Sequence, residues 1–266
     1  MTLSSLARKV LAGFTFGVLA LIYLPLLVVV INSVNASQSM TWPLSGVTFE
    51  WWRRAAHSAG AREALVTSLE VAAIATLLAL ILGTLLALAL QRYSFFGKNS
   101  VNLLVILPIA LPGVVTGIAL NNGFKGILGV DLSLWTIVVA HATFCIVTVF
   151  NNVQARLRRM GTTLEEASAD LGAGVFTTFR LVTLPQLRSS LLAGGMLAFA
   201  LSFDEIIVTT FTAGNGANTL PIWILNNMFR PNQAPVVNVV AVVLILFSII
   251  PVWIAQRLSS DVEGVR

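Results

Sequence analysis

The segment NNVQARLRRMGTTLEEASADLGAGVFTTFRLVTLPQLRSS, residues 151–190, is far more charged than the sequence on either side of it. Apolar runs flank it at 134–150 and 190–211. A helix needs about 17–25 mostly apolar residues to cross the hydrocarbon core of a bilayer, so both runs have the length of a membrane span. A long polar connection between two spans usually has a function of its own, and we expect one for residues 151–189.

The composition is that of an integral membrane protein. Of 266 residues, 57% are hydrophobic and 10% are charged, against about 25% charged in a typical soluble domain. The net charge of +5 comes without a basic helix or an aromatic RNA-binding pattern, which excludes nucleic acid as a partner. The single cysteine, Cys145, excludes an intramolecular disulfide and a cysteine-based zinc site.

Six apolar runs predict an all-α protein with six transmembrane helices. The runs lie at 11–31, 64–90, 101–120, 134–150, 190–211 and 236–255. The first follows Arg8 and Lys9 and exceeds the apolar core of about 7–15 residues in a secretory signal, so we interpret it as an uncleaved signal-anchor. Cleavage is the alternative, and it would leave five spans.

The positive charges predict that both termini are cytoplasmic. With the N-terminus inside, eleven of the 16 Lys and Arg residues fall on cytoplasmic segments and five on outer ones, as the positive-inside rule requires. Residues 32–63 are then an extracytoplasmic loop, with a short interfacial helix near Trp51. Residues 151–189 are then cytoplasmic, and the whole chain, 1–266, is predicted to be a single transmembrane domain.

Within the cytoplasmic loop, the pattern predicts a short helix that begins near Leu164. Its start carries one of two capping boxes, Thr162 with Glu165 or Thr163 with Glu166. Gly172 and Gly174 can end this helix, since glycine accepts the left-handed conformation, and Pro185 marks the start of the next. The charge pattern by itself fits a solvated linker helix as well as a docking helix.

One motif in this loop is specific. Glu166-Ala167-Ser168, three residues, Gly172, nine residues and then Val182-Thr183-Leu184-Pro185 resembles the EAA signature of bacterial ABC importer permeases, E-A-A-x3-G-x9-I-x-L-P. Ser168 and Val182 are small departures from it. The flanking segments HATFCIVTVFNNVQARLRRM, SFDEIIVTTFTAG and TLPIWILNNMFRPNQAPVVNVVAVVLIL are similar to the polyamine branch of these permeases, of the second-permease type.

The resemblance implies a type I ABC importer permease fold in a bacterial cytoplasmic membrane. It implies that the loop is a coupling helix that docks on a separate ATPase, present in two copies. The sequence lacks a G-x4-G-K-[ST] phosphate loop, so ATP and Mg would be used by that partner, while this chain is no enzyme and binds no cofactor. A second permease and an extracytoplasmic polyamine-binding protein are the other implied partners. The expected coupling residues are Glu165, Glu166, Ala167, Ser168, Asp170 and Gly172.

Three carboxylates within the apolar runs are candidates for a substrate pathway. They are Glu70, Asp204 and Glu205. A carboxylate at mid-bilayer costs about 2.5–3.5 kcal/mol or more, and such residues usually face an aqueous path. None of the six runs contains a Lys or Arg to pair with them, which favours a cationic substrate. Helical neighbours point about 100° apart, so Asp204 and Glu205 cannot both face one groove squarely. Glu70 can also reach water at the outer surface.

Other residues are open to two interpretations. Trp51 and Trp52 suit either an interfacial aromatic belt or a cation–π contact with an ammonium group, and the resemblance favours Trp51 for the latter. His141 is expected to form hydrogen bonds between helices, since no companion ligands predict a metal site. Pro108 and Pro112 predict an interrupted third span. Related polyamine permeases usually carry an acidic residue after the second proline, where this chain has Gly113.

The favoured function is an ABC importer permease subunit that moves a small cation, putrescine or spermidine, by alternating access. Permeases for ferric ion, phosphonate, sulfate or sugars share the signature loop, but an anion would sit poorly beside Asp204 and Glu205. An ion-coupled secondary transporter would leave the loop unexplained. An intramembrane enzyme lacks support, since there is no HExxH motif and the two histidines lie on separate segments.

Overall fold

The computed structural model describes residues 4–38, 44–214 and 216–263, with side chains up to 249. Apart from one antiparallel bridge between Asn35 and Val47, the regular structure in these ranges is helical. The helices are α1 Ser5–Asn32, α2 Glu50–His57, α3 Ala59–Arg92, α4 Lys98–Ala110, α5 Gly113–Asn122, α6 Leu134–Met160, α7 Thr163–Asp170, α8 Val175–Thr178, α9 Leu184–Phe203, α10 Ile207–Thr212, α11 Leu220–Asn227 and α12 Ala234–Glu263. Two π-helical turns, Gly123–Ile127 and Phe179–Thr183, follow α5 and α8.

The chain divides into two compact units. The first consists of Met1–Arg62 and Ile224–Arg266, and in it α12 packs against α1 and α2. The second is Glu63–Trp223, in which α6 packs against α4, α9 and α10. Its main apolar cluster comes from α3, α6 and α9 and includes Ala79, Leu90, Phe150, Leu157 and Leu187.

Small residues let the helices of the second unit approach closely. A Cβ on Gly83 of α3 would lie 2.8 Å from the backbone oxygen of Ile146 on α6. A Cβ on Gly194 of α9 would lie 3.3 Å from the Cα of Val149, also on α6. Small residues at helix contacts are the usual packing device within membranes, because dispersion contacts replace the hydrophobic effect there. The helix α6 is therefore held on two sides.

Among the residues that the structure describes, three helices, α1, α3 and α6, are long and apolar enough to cross a membrane. They cover the predicted spans 11–31, 64–90 and 134–150. The predicted span 101–120 is α4 and α5, which are bent by 108° and make a fourth only if the pair is one broken span. The predicted span 236–255 falls on α12, whose described apolar part, Ala234–Ile249, is shorter. The six-span count and the side of the termini therefore stay predictions.

The bend between α4 and α5 follows from Pro112. Leu111, directly before the proline, is extended with ψ of 142°, because the proline ring disfavours a helical conformation at the preceding residue. Proline also lacks the amide hydrogen that would continue the helix. The predicted interruption of this span is confirmed.

Candidate functional site

The predicted fifth span, 190–211, is not one continuous helix. The helix α9 ends at Phe203, and its last backbone bond runs from the Asp204 N–H to the Ala200 oxygen, at 3.1 Å. The next helix, α10, starts at Ile207. The run of β-branched residues that follows, Ile206 to Thr210, has lower helix propensity than Leu or Ala. The two carboxylates thus lie in a break, which the sequence pattern did not predict.

Asp204 and Glu205 differ in their environments. The Glu205 side chain is half-buried, and its Oε1 accepts a hydrogen bond from the Val208 N–H at 2.9 Å, in the first turn of α10. A carboxylate at a helix N-terminus satisfies a free amide and suits the helix dipole. Asp204 is exposed and forms no hydrogen bond or ion pair with a described residue. Glu205 therefore has a local structural partner, and Asp204 does not.

His141 connects the two sides of the break. Its Nδ1 lies 2.8 Å from the Ser202 Oγ on α9, and its Nε2 lies 2.8 Å from the Thr209 Oγ1 on α10. All three side chains are buried. The prediction that His141 forms hydrogen bonds between helices is confirmed.

Two further contacts hold α10 in place. The Asn121 amide of α5 donates to the Phe211 oxygen at 2.5 Å, and the Thr136 hydroxyl of α6 lies 2.8 Å from the Thr212 oxygen. Gly113, the first residue of α5, faces α10: a Cβ there would lie 3.6 Å from the Ile207 Cγ2. The start of α5, just after the Pro112 bend, thus lies beside the start of α10, just after the Asp204 break. Interrupted helices that meet in this way are common at the substrate sites of transporters.

Glu70 and Trp51 lie in different units of the fold. Glu70 is exposed on α3, in the second unit. Trp51, in the first unit, is only 3% exposed, and its indole N–H donates to the Asn35 oxygen at 2.8 Å. The Arg54 guanidinium lies 4.9 Å from the Trp51 ring centroid, so the ring already has a cation–π contact with a residue of the chain itself. Their assignment to the substrate pathway stays a prediction.

The predicted loop helix is present as α7, which begins at Thr163. The predicted capping boxes are wrong. The N-cap is Thr162, whose side chain forms no capping bond, and Thr163 is already helical. Glu165 instead accepts hydrogen bonds from Arg92 at 2.9 Å and from the Thr183 hydroxyl at 2.8 Å. A charge-assisted bond to a guanidinium is stronger than a bond to a neutral amide, which explains the choice.

The end of α7 agrees with the prediction. Gly172 has a φ of +83°, and bonds run from its N–H to the Ala169 oxygen at 2.8 Å and from the Ala173 N–H to the Ser168 oxygen at 3.1 Å. This pair of bonds is a Schellman motif, in which glycine tolerates the left-handed turn. Pro185 is the second residue of α9, which begins one residue earlier, at Leu184.

The surface of the loop is unusually apolar for a polar segment. Leu171 is 89% exposed, Val175 85% and Phe176 74%. Glu166, Ala167 and Asp170 are also exposed, whereas the Ser168 hydroxyl is 3.0 Å from that of Thr178. An apolar patch edged by acidic residues is typical of a surface that contacts another protein.

Sequence reasoning missed several residues that build these sites. The sequence predicted Arg92 only as one of the eleven positive charges on cytoplasmic segments. In the structure it pairs with Glu165 and also donates to the Gly161 oxygen at 3.0 Å. Its place at the end of a long apolar run was a usable signal, since a basic residue there marks the membrane surface. No such signal marks Ser202, Thr209 or Asn121, because each forms its hydrogen bond with a residue far away in the sequence.

With this geometry in place, the class of protein follows. Residues 75–264 match the family of binding-protein-dependent transport system inner membrane components, and the chain belongs to that family. The fold is similar to a chain in the crystal structure of a bacterial ABC transporter involved in the import of the acidic polysaccharide alginate. The TM-score is 0.71 at 15% identity, over 98% of this chain and 99% of that one.

Two curated relatives are more similar in sequence. The spermidine/putrescine transport system permease protein PotC of Escherichia coli (strain K12) is 32% identical over 257 residues, 96% of each chain. The putrescine transport system permease protein PotI of the same strain is 34% identical over 263 residues, 96% of this chain and 91% of PotI. The protein is thus an inner-membrane permease subunit of an ABC importer.

Proposed function

We propose that this permease subunit carries a polyamine, putrescine or spermidine, and that Asp204 binds one of its ammonium groups. The observation that carries the proposal is the exposed Asp204 carboxylate, without a hydrogen-bond or ion-pair partner among the described residues, at a break between two helices. An ammonium ion neutralises a carboxylate whose exposure to lipid would be costly. The names of PotC and PotI point to the same class of substrate.

Other features of the site fit a cation better than an anion. The end of α9 contributes backbone carbonyl groups beside Asp204, and the C-terminal end of a helix attracts positive charge. Half-helix ends and unwound carbonyls hold cations in several transporters. Glu205 adds a second negative charge next to Asp204 while it caps α10. Ferric ion would also be attracted to this site, whereas sulfate and phosphonate would be repelled. Glu70 and Trp51 are proposed as further contacts along the pathway.

The coupling residues are proposed to act on a partner ATPase. The acidic and small residues of α7, with the apolar side chains of Leu171 and Phe176 next to them, form the exposed docking surface. Two ATPase copies, which use ATP and Mg, a second permease and an extracytoplasmic polyamine-binding protein complete the proposed importer. In it the present chain has six spans and cytoplasmic termini and binds no cofactor.

The test is uptake of radiolabelled putrescine and spermidine by the complete complex in proteoliposomes. We expect ATP-dependent uptake, reduced about tenfold or more by Asp204→Asn, because an interaction worth about 1.4 kcal/mol is a factor of ten in affinity. Asp131→Asn, which removes one negative charge from an exposed loop residue, is the matched control and leaves uptake unchanged. Near-normal uptake by an assembled Asp204→Asn complex contradicts the proposed site. If the complete complex takes up neither putrescine nor spermidine in an ATP-dependent manner, the proposed substrate is contradicted.

A further inference from the structure

We infer that His141 is a positioning residue for the substrate site: it fixes the relative placement of α9 and α10 and so the orientation of Asp204 in the break between them. This rests on the proposed role of Asp204. His141 lies on α6, opposite the break, and contacts one residue on each side of it, Ser202 and Thr209. The break spans only residues 204–206, so this one ring bridges it completely.

The hydrogen-bond network assigns the protons of the bridge. The Thr209 hydroxyl is 2.9 Å from the Glu205 backbone oxygen, to which it donates its only hydrogen. Thr209 therefore accepts from His141, whose Nε2 carries the hydrogen, and Nδ1 accepts from the Ser202 hydroxyl at 2.8 Å. The ring is then a neutral imidazole with both nitrogens bonded.

The network reaches the carboxylates through the backbone. The Glu205 oxygen that accepts from Thr209 belongs to the residue directly after Asp204. The Glu205 side chain in turn accepts from Val208 N–H. His141 is thus connected through Thr209 to the backbone oxygen of Glu205. The Glu205 side chain is bonded to Val208, the residue before Thr209, so both groups next to Asp204 depend on the position of Thr209. An imidazole ring is rigid, so the separation of its two partners is set by the ring itself.

A second contact joins α6 to α9. Cys145, one turn after His141 on the same face of α6, has its Sγ 3.3 Å from the Ala198 oxygen of α9. The end of α9 is therefore attached to α6 at two levels, and α10 is attached through His141 and Thr136.

The first test separates positioning from simple satisfaction of buried polar groups. His141→Phe keeps a ring and removes both bonds, leaving the Ser202 hydroxyl without its acceptor and Thr209 without its donor. The double variant His141→Phe, Ser202→Ala also removes the Ser202 hydroxyl and keeps Thr209, whose hydroxyl still donates to the Glu205 backbone oxygen. We expect both variants to raise the apparent KM for putrescine uptake by about fivefold or more, the lower end of typical coupling between sites. We expect thermal stability to recover in the double variant. A normal KM in the double variant overturns the inference.

The second test does not depend on the substrate. Spin labels at Leu197 on α9 and Thr210 on α10, both exposed positions, report the geometry across the break in the complete complex with Cys145→Ala. We expect a wider distance distribution in the double variant His141→Phe, Ser202→Ala than in the otherwise native chain. Labels at Leu69 and Leu85, exposed along the unbroken α3, are the control pair and stay unchanged.

The two tests also separate this inference from the proposed function. An unchanged distribution across the break overturns the positioning role, whatever the complex transports. A wider distance distribution in a complex that takes up no polyamine supports the positioning role of His141 and refutes the assigned substrate.

Discussion

At the scale of single residues, Asp204 and Glu205 show how adjacent carboxylates acquire different roles. Both are costly in a membrane, yet Glu205 offsets part of that cost by accepting the Val208 amide hydrogen. Asp204 has no such bond among the described residues and is exposed. The difference arises from the break alone, because in a continuous helix the Val208 amide would bond to a backbone oxygen.

Gly113 provides a test of charge at this site. A Cβ at this position would lie 3.6 Å from the Ile207 Cγ2, an ordinary van der Waals contact, so the backbone there accommodates a Cβ. We expect Gly113→Asp to add a negative group at the start of α5, where the helix dipole favours it, and to improve the apparent KM for spermidine relative to putrescine by about fivefold to tenfold. Competition uptake assays measure this ratio. Gly113→Asn has the same size without the charge, and an equal effect from it would refute the electrostatic explanation.

At the scale of helices, the loop is tied to a membrane helix by one ion pair. Arg92, at the end of α3, lies 2.9 Å from Glu165 on α7, with 16% and 21% of the two side chains exposed. Thr183, just before α9, shares the same carboxylate. One carboxylate therefore connects α3, α7 and the segment that leads into α9.

Charge reversal tests this connection. We expect Arg92→Glu and Glu165→Arg, each by itself, to destabilise the chain by about 1–3 kcal/mol and to reduce uptake, since each leaves a partly buried charge without a partner. The double reversal restores much of both. The measurements are thermal unfolding of the purified complex and ATP-dependent uptake.

The Arg54–Glu50 pair on α2 is the matched control. It is an exposed i,i+4 pair, with 47% and 43% of the side chains exposed. Glu50→Gln breaks this pair and leaves the Arg54 contact with Trp51 in place, and it should change stability by no more than about 0.5 kcal/mol. If the double reversal at 92 and 165 has stability and uptake as low as the single changes, the loss of the direct ion pair does not explain the effect of the single changes.

At the scale of the whole molecule, the fold is that of ABC transporter membrane chains, but within the described residues only α1, α3 and α6 have the length and composition of uninterrupted spans. Of the other predicted spans, 101–120 is bent, 190–211 is broken, and 236–255 lies on α12, whose described apolar part is short. A helix break within a membrane needs polar partners for the freed backbone groups. At 204–206 the side chains of Glu205 and Thr209 supply them.

Topology can be tested with single cysteines in a Cys145→Ala background. We expect a membrane-impermeant maleimide to label His57→Cys in intact cells, and to label Ser4→Cys and Thr163→Cys only after permeabilisation. This follows from six spans with cytoplasmic termini and the positive-inside rule. Labelling of Ser4→Cys from outside would contradict the predicted orientation, and loss of an N-terminal tag would indicate cleavage of the first span.

The sequence by itself determined the features that depend on composition and on local spacing. The apolar content indicates a membrane protein, the spacing from Glu166 to Pro185 indicates the permease loop, and Pro112 and Gly172 give a bend and a helix end where they were expected. Each of these depends on the chemistry of a residue and a few neighbours. The predicted capping boxes of α7 failed because Glu165 found a stronger partner in Arg92, 73 positions away.

Only the tertiary structure decided which groups serve the carboxylates. Ser202 and Thr209 lie 61 and 68 positions from His141, and no local pattern marks them as partners. The interruption of 190–211 at Asp204 likewise depends on contacts from α5 and α6 that hold α10 as a separate helix. Helix propensities differ by only a few tenths of a kcal/mol per residue, so packing and buried hydrogen bonds from distant segments determine where such a helix ends.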